Sequence, residues 1–211
     1  MEQSTRKPIP TQEVPVHNLD ERLCQAYSAE NISEVNPMIR GFNGKSPRIA
    51  ASAYISEAAY VVGDVEIGDN SNVFPGAVIR GDFGRISIGC NTSVEDNCVI
   101  HSGTPSAPVG DVFIGDRVII GHGAVLNCRS IGDNVLVGMN ATLLHDAEIG
   151  SDSVIGACCL VGQGMKIPDH SFVVGVPGKI KGRPTSDQLW WTREGYKEYL
   201  ELVRLYKKEG L

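Results

Sequence analysis

The sequence predicts an all-β fold: a left-handed parallel β-helix followed by a C-terminal α-helix. Two observations predict the β-helix. Aliphatic residues recur every six positions between Ile55 and Val173, and glycine directly follows many of them. A period of six fits neither the 3.6-residue repeat of an α-helix nor the two-residue alternation of an amphipathic strand. It fits a triangular coil in which each side takes six residues and points one aliphatic side chain inward.

The repeat continues along the chain with only three changes of spacing. The step lengthens after Ile79 and again after Ile100, and it shortens to five residues after Leu126. Glycine beside the aliphatic residue suits a tight corner where no Cβ can be accommodated. Eighteen residues make one turn, and successive turns are expected to stack as parallel strands about 4.8 Å apart. Roughly six turns follow from the nineteen positions, which are Ile55, Val61, Ile67, Val73, Ile79, Ile88, Val94, Ile100, Ile114, Ile120, Leu126, Ile131, Val137, Leu143, Ile149, Ile155, Val161, Ile167 and Val173.

The repeat divides the chain into three parts. Residues 1–37 are polar, contain proline and show no period, so they are expected to form a flexible extension. Residues 38–180 are expected to form the β-helix domain. Residues 185–209 are expected to form an amphipathic helix that begins after Pro184, with Thr185 or Ser186 as its cap. Its ring-rich face is expected to pack along the solenoid; the apolar positions are Trp190, Trp191, Tyr196, Tyr199, Leu200, Val203, Leu205 and Tyr206.

Composition narrows the range of partners. A net charge of −6 and a pI near 5.4 argue against nucleic acid and anionic membranes. No apolar run approaches the roughly 18 residues of a membrane span, and the N-terminal sequence lacks the apolar core of a secretory signal, so a cytoplasmic location is expected. The cysteines show no C-x-x-C pairing, and we expect most of them to be reduced, buried, small hydrophobic residues; they are Cys24, Cys90, Cys98, Cys128, Cys158 and Cys159.

Counting in sixes aligns three polar residues. Arg80, His101 and Asn127 each directly follow the inward residue of the same side in successive coils. Their side chains should therefore stack in one column about 4.8 Å apart. Such a column is unusual for a structural surface.

Another candidate metal ligand, His122, lies five residues before Asn127. Extended chain covers about 3.3 Å per residue, so the two are roughly 16 Å apart. A metal ion needs ligand atoms at about 2.0–2.2 Å, so His122 cannot share one with His101 and Asn127 of its own subunit. A neighbouring subunit could supply it, which makes a threefold-symmetric homotrimer with interfacial sites the natural prediction.

Three segments of the repeat contain the motifs RGD, VIH and GHGA at a specific spacing; they read GDVEIGDNSNVFPGAVIRGD, IGCNTSVEDNCVIHSG and IGDRVIIGHGAVLNCRSIGDNVLVGMNATLL. These segments closely resemble the γ-class carbonic anhydrases and their carnitine-operon and phenylacetate-pathway homologues. The resemblance extends from Met38 through the VVGVPGK segment, whereas residues 1–37 look like an extension that the family lacks. The resemblance implies a homotrimer that hydrates CO2 reversibly at metal sites between subunits.

The resemblance also implies a set of metal ligands, of which one is replaced here. The family binds zinc, or iron in reduced cells, through three histidines, and two of these map onto His101 and His122. The third maps onto Asn127, whose amide oxygen is a weaker ligand than imidazole. Asn127 is therefore expected to serve as a weak third ligand or a water anchor. His145 is an alternative replacement, whereas the side chain of Cys128 should point away from the column.

Other positions near the implied site are either changed or retained. The family's N-I-Q-D segment reads Ser93-Val94-Glu95-Asp96, so a glutamine that orients small ligands is replaced by Glu95, a candidate proton acceptor. Asp96 is retained, as are Arg80 and Asp82, for which the resemblance implies an ion pair across the trimer interface. The segment after His101 carries no carboxylate, so the family's acidic proton-shuttle loop has no evident counterpart.

Three functions stay open from the sequence. The first is a carbonic anhydrase-like lyase (carbonate dehydratase) acting on CO2 and bicarbonate, with His101, His122 and Asn127 at the metal. The second is an acyltransferase or CoA-thioester-handling protein, with His122 as a general base and an acyl-CoA as substrate. The third is a non-catalytic trimeric scaffold with a degenerate metal site.

Overall fold

A computed structural model of the chain describes residues 38–104 and 110–211. The extension predicted for residues 1–37 lies outside the described residues. No helix in the described part of the chain is long and apolar enough to cross a membrane.

Short strands form most of the described structure. In chain order, β1–β20 are Met38–Arg40, Arg48–Ile49, Tyr54–Ile55, Tyr60–Ile67, Asn72–Val73, Val78–Ile88, Ser93–Val94, Val99–His101, Val112–Ile114, Ile119–Ile120, Val125–Leu126, Ser130–Ile131, Leu136–Val137, Thr142–Leu143, Glu148–Ile149, Val154–Ile155, Leu160–Val161, Lys166–Ile167, Phe172–Val174 and Lys179–Gly182. All pairings except that of β20 with β19 are parallel, so the strands form a parallel β-helix. The predicted fold class is confirmed.

The strands stack into three faces of seven strands each. The first face contains β1, β4, β6, β8, β11, β14 and β17. The second contains β2, the ends of β4 and β6, and then β9, β12, β15 and β18. The third contains β3, β5, β7, β10, β13, β16 and β19. β4 and β6 are long because each turns the corner between the first and second faces without a break in pairing.

Seven coils exceed the roughly six expected from sequence, because the β-helix begins before Ile55. Ile49 lies six residues before Ile55 and continues the period in β2. Ile39 enters the first face in β1, ten residues before Ile49, and an isolated bridge between Phe42 and Lys45 closes the turn between them. That turn breaks the six-residue spacing and hides the first coil from a periodicity search.

The predicted aliphatic positions line the interior, together with a second row of inward residues that includes Ala77 and Cys98. Ile79, Ile100 and Leu126 are adjacent on the first face, and each is fully buried. The remaining inward residues of the three faces form one continuous hydrophobic core with them. Truncating such a side chain lowers the free energy of unfolding by about 2–5 kcal/mol in typical cores. The buried stack therefore stabilises the strand register that aligns the outward residues.

The corner glycines are required by close packing between coils. A Cβ on Gly68 would lie 2.7 Å from the backbone of Gly89, and one on Gly89 would lie 2.7 Å from the backbone of Gly115. Their own φ angles are not positive; the left-handed backbone positions two residues later are taken by Asn70 and Asn91. Asparagine tolerates that conformation better than most residues.

The C-terminal helix lies along the third face. It runs from Ser186 to Trp190 (α1), through a π-helical turn at Trp191–Gly195, and from Tyr196 to Glu209 (α2). Thr185 is its N-cap in a capping box with Gln188, so the cap is Thr185 and not Ser186. Tyr199, Leu202, Val203 and Tyr206 pack against Tyr54 and Phe74 of the solenoid.

Some ring-bearing and aliphatic residues of this helix do not join that contact. Trp190 and Leu205 are about two-fifths exposed, against the expectation that they pack on the solenoid. The π-helical turn shifts the helical register between α1 and α2, which explains why one amphipathic stripe does not account for both halves.

The cysteine prediction is confirmed for three positions. Cys98, Cys128 and Cys159 are buried, whereas Cys90 is partly exposed and Cys158 is exposed. All five are free thiols, and Cys24 lies outside the described residues.

Candidate metal site

The predicted polar column lies on the first face. β6 pairs Arg80 with His101 of β8, and the pairing of Leu126 with Ile100 brings Asn127 beside His101 in the next coil. The Asn127 Nδ2 atom donates to the His101 carbonyl oxygen at 3.1 Å and lies 3.5 Å from His101 Nδ1. The solenoid register therefore brings together the three residues that the six-residue count aligned.

Asp82 joins two members of this column within one chain. Its Oδ2 atom accepts from Arg80 Nη1 at 2.6 Å, and its Oδ1 atom lies 2.9 Å from His101 Nε2. Within one chain the Arg80–Asp82 pair forms inside β6, and the pair between subunits that the resemblance implies stays a prediction. The ring of Phe83 lies edge-on to the His101 ring, with centroids 5.8 Å apart. Phe83 and Asp82 thus hold the imidazole from two sides.

His122 lies at a different corner, where the third face turns into the first. Its Nε2 atom is 3.0 Å from Glu95 Oε2, and its Nδ1 atom is 2.9 Å from Asp96 Oδ2. The ring is half exposed. The predicted candidates Glu95, Asp96 and His122 therefore form a second cluster, separate from His101 and Asn127.

Glu95 is the buried member of the second cluster, with 3% of its surface exposed. Its Oε2 atom accepts from the backbone N–H of His122 at 3.0 Å, and its Oε1 atom accepts from the Tyr199 hydroxyl. Burial, and then the hydrogen bond to Glu95, raise the pKa of Tyr199 well above its ordinary value. The phenol is therefore protonated at neutral pH and serves as a donor to the carboxylate.

The described residues of one chain contain no complete metal site. Across residues 38–104 and 110–211, no three His, Cys, Asp or Glu side chains are grouped so that they could hold one ion. In each cluster an imidazole Nε2 lies at hydrogen-bond distance, 2.9 or 3.0 Å, from a carboxylate oxygen. Imidazole and carboxylate are both ligands of divalent metals, and two atoms bound to one ion lie roughly 3 to 3.5 Å apart, so each pair would open slightly to share an ion.

The two proposed replacements for the missing histidine lie in different settings. Cys128 is buried in the hydrophobic core, as its strand position predicts, and burial raises the pKa of its thiol to about 12. His145, Asn127 and Cys128 all line a small pocket of about 40 Å³, although only Cys128 also belongs to the hydrophobic core. Cys128 therefore cannot replace the histidine without unpacking the core.

A larger cavity adjoins the second cluster, between the third face and the C-terminal helix. Its volume is about 550 Å³, and most of its wall is apolar, including Leu136, Val154 and Phe172. Glu95, His122 and Tyr199 line one part of it, and Trp191 lines the helix side.

The sequence pattern predicts neither the Tyr199–Glu95 contact nor this cavity. It places Tyr199 only on the apolar face of a helix. Periodicity within the helix carries no information on where the helix docks along the solenoid, so no pattern relates two residues 104 positions apart.

Known proteins similar to this chain carry several kinds of name, including gamma carbonic anhydrase and, in Escherichia coli, "Carnitine operon protein CaiE". A family model described as "Bacterial transferase hexapeptide (six repeats)" matches residues 130–163. A Methanocaldococcus jannaschii protein named "Probable carbonic anhydrase" is 45% identical over 156 residues, which cover 73% of this chain and 94% of that protein. "Gamma carbonic anhydrase 2, mitochondrial" of Arabidopsis thaliana is 32% identical over 196 residues, which cover 92% of this chain and 67% of that protein.

One similar solved structure carries a transferase name. The crystal structure of a Bacillus cereus protein, provisionally assigned as an acetyltransferase, is similar with a TM-score of 0.75 and 35% sequence identity. The match covers 82% of this chain and 98% of that chain. The similarity therefore includes nearly the whole of a protein with the same fold.

Proposed function

Because the chain belongs to the γ-class carbonic anhydrase-like family of hexapeptide-repeat proteins, we propose that it forms a homotrimer with a divalent metal, Zn²⁺ or Fe²⁺, between neighbouring subunits. The proposed reaction is the reversible hydration of CO2 to bicarbonate. The cytoplasmic location expected from the sequence stays a prediction.

The observation that carries the proposal is the separation of the two histidines. His101 and Asn127 share the first face, whereas His122 is held at the next corner by Glu95 and Asp96. Five residues, spanning up to roughly 16 Å, separate His122 from Asn127, and no described grouping of ligating side chains unites His122 with His101 around one ion. The two histidines can therefore share a metal only if His122 of one subunit meets His101 of another, as rotation about a threefold axis permits.

Each residue has a separate role in the proposed reaction. A bound divalent metal would supply a nucleophile at neutral pH by lowering the pKa of a water molecule toward 7. Asp96 accepts from His122 Nδ1 and fixes the ring orientation with Nε2 toward the site. Asn127 holds the backbone of His101, and the buried Glu95 accepts a proton or stabilises positive charge beside the site.

The metal content of purified protein tests this function. We expect about one Zn²⁺ or Fe²⁺ per chain in wild-type protein, a loss of most of it in His101→Ala and His122→Ala, and CO2 hydration that disappears in parallel. His170→Ala is the matched control, because His170 lies at a turn and pairs only weakly with Asp152. Metal-free wild-type protein purified from metal-replete cells would contradict the proposal, as would full occupancy in both histidine variants.

The cavity beneath the C-terminal helix favours a second candidate, an acyl-handling function. About 550 Å³ of mainly apolar space is far more than CO2 requires, and it opens beside the His122–Glu95 pair, which has the arrangement of a general base and its orienting carboxylate. The name of the Bacillus cereus relative agrees with this candidate. However, Glu95 and Asp187 at the cavity wall are acidic and disfavour the phosphates of CoA, so it ranks second.

Calorimetry with acetyl-CoA separates the two candidates. The second predicts binding that is lost in Ala157→Trp, since Ala157 lies at the exposed wall of the cavity away from the histidines. The first predicts no acetyl-CoA binding and unchanged metal content in the same variant.

A further inference from the structure

Glu95 is a buried carboxylate with no lysine or arginine among its ion-pair partners in the described residues. It is 3% exposed, and among the residues that the structure describes its only ion-pair partner is His122. Burying a carboxylate is costly unless a cation, a metal or several hydrogen bonds compensate for the lost hydration. Apart from the His122 ring, its hydrogen-bond donors are neutral groups, namely the Tyr199 hydroxyl and the His122 backbone N–H.

The carboxylate is also aimed at the atom that would bind the metal. Its Oε2 atom lies 3.0 Å from His122 Nε2, within the separation of two ligands of one ion. The opposite ring nitrogen is occupied by Asp96, so Nε2 is the nitrogen left for coordination. The Tyr199 hydroxyl fixes the other oxygen of Glu95, as outer-shell hydrogen bonds orient ligating carboxylates.

From this geometry we infer that Glu95 is itself a protein ligand of the interfacial metal. The ligand set of each site then consists of His122 and Glu95 from one subunit and His101 from its neighbour. The inference rests on the proposed metal site and deepens it. A charged carboxylate oxygen is a stronger ligand than the neutral amide of Asn127. Two histidines and one carboxylate form a ligand set known for both catalytic Zn²⁺ and non-haem Fe²⁺.

Neither of the other nearby carboxylates fits this role as well. Asp82 already accepts from the Arg80 guanidinium at 2.6 Å, which neutralises its charge. Asp96 lies on the far side of the His122 ring and is 41% exposed, so it orients the imidazole. Asn127 donates its Nδ2 hydrogen bond to the backbone carbonyl of His101 and acts as a positioning residue.

Zn²⁺ titration of the chelator-treated full-length protein tests the inference without any measurement of activity. We expect Glu95→Gln to weaken binding at least about 100-fold, because a ligand is lost while the side-chain shape and the Tyr199 hydrogen bond are kept. Asp96→Asn and Asn127→Ala should each weaken it by less than about 10-fold. Adding Asn127→His to Glu95→Gln should restore tight binding, because a third imidazole then replaces the carboxylate.

The outcomes distinguish this inference from the proposed function. Wild-type protein that binds no Zn²⁺ overturns both. Wild-type and Glu95→Gln proteins that bind Zn²⁺ equally well overturn only the ligand role of Glu95, and so does a large loss confined to Asn127→Ala. Co²⁺ substitution gives a second reading, since its visible absorption bands should change in Glu95→Gln at saturating metal and stay unchanged in Asp96→Asn.

Discussion

At the scale of single residues, the chemistry depends on which side-chain atoms are not already engaged in hydrogen bonds. Glu95 receives two donors from His122 and Tyr199, and Asn127 is engaged by the backbone of His101. The amide at position 127, where the resemblance implies an imidazole, thus coincides with a buried carboxylate at position 95. A polar network of this kind is sensitive to the loss of any one partner.

Tyr199→Phe should weaken Zn²⁺ binding by about 10-fold, because the Glu95 carboxylate loses the hydroxyl that fixes its orientation. The measurement is a Zn²⁺ competition titration of the full-length protein. Tyr196→Phe, three residues earlier on the same helix, is the control and should bind as the wild type does. An unchanged affinity in Tyr199→Phe would mean that the hydrogen bond does not orient a ligand.

Thiol reactivity should follow burial. Desolvation raises the pKa of Cys98 and Cys128 to about 12, so both stay as unreactive thiols at pH 8. Cys158 is exposed and should be alkylated by iodoacetamide in the native protein. Peptide mass spectrometry should find Cys98 and Cys128 modified only after denaturation. Rapid native labelling of Cys128 would contradict its position in the core.

At the scale of elements, the sequence predicted the features that depend on the six-residue period. It did not predict the contacts that depend on how the C-terminal helix docks on the solenoid. The six-residue period located one row of inward residues from Ile55 to Val173, because a large aliphatic side chain recurs on each side of the coil, but it did not locate the second inward row that includes Ala77 and Cys98. It also aligned His101 with Asn127, since stacking preserves register. The Tyr199–Glu95 contact could not be predicted, because it depends on where the C-terminal helix lies against the solenoid.

The capping box provides a test of how that helix is anchored. Thr185→Ala removes the acceptor for the Gln188 N–H and should cost about 1 kcal/mol, or roughly 2–4 °C in thermal midpoint for a chain of this size. Ser186→Ala is the matched control, since its neighbouring hydroxyl does not form the cap. Differential scanning calorimetry should separate the two variants. Equal midpoints would show that the cap contributes nothing to stability.

At the scale of the whole molecule, the β-helix keeps apart His101 and His122, the two histidines that the proposed metal site requires together. Its coils fix His101 on the first face and His122 at a corner, and the rigid aliphatic stack gives neither of them freedom to move toward the other. The sequence predicted this separation from spacing alone. The subunit arrangement that would close the gap depends on outer surfaces, on which the six-residue period places no constraint.

Subunit mixing therefore gives the sharpest test of the assembly. Homotrimers of His101→Ala or of His122→Ala should each lack metal, because every interface misses one ligand. Co-refolding the two variants in equal amounts should restore metal at about one interface in four, since half of the subunits carry His101 and half of their neighbours carry His122. Elemental analysis of the mixed protein, with unmixed samples refolded in parallel, measures the recovery. If both histidines instead served one site within a single chain, mixing would recover no metal, because no chain in the mixture carries both.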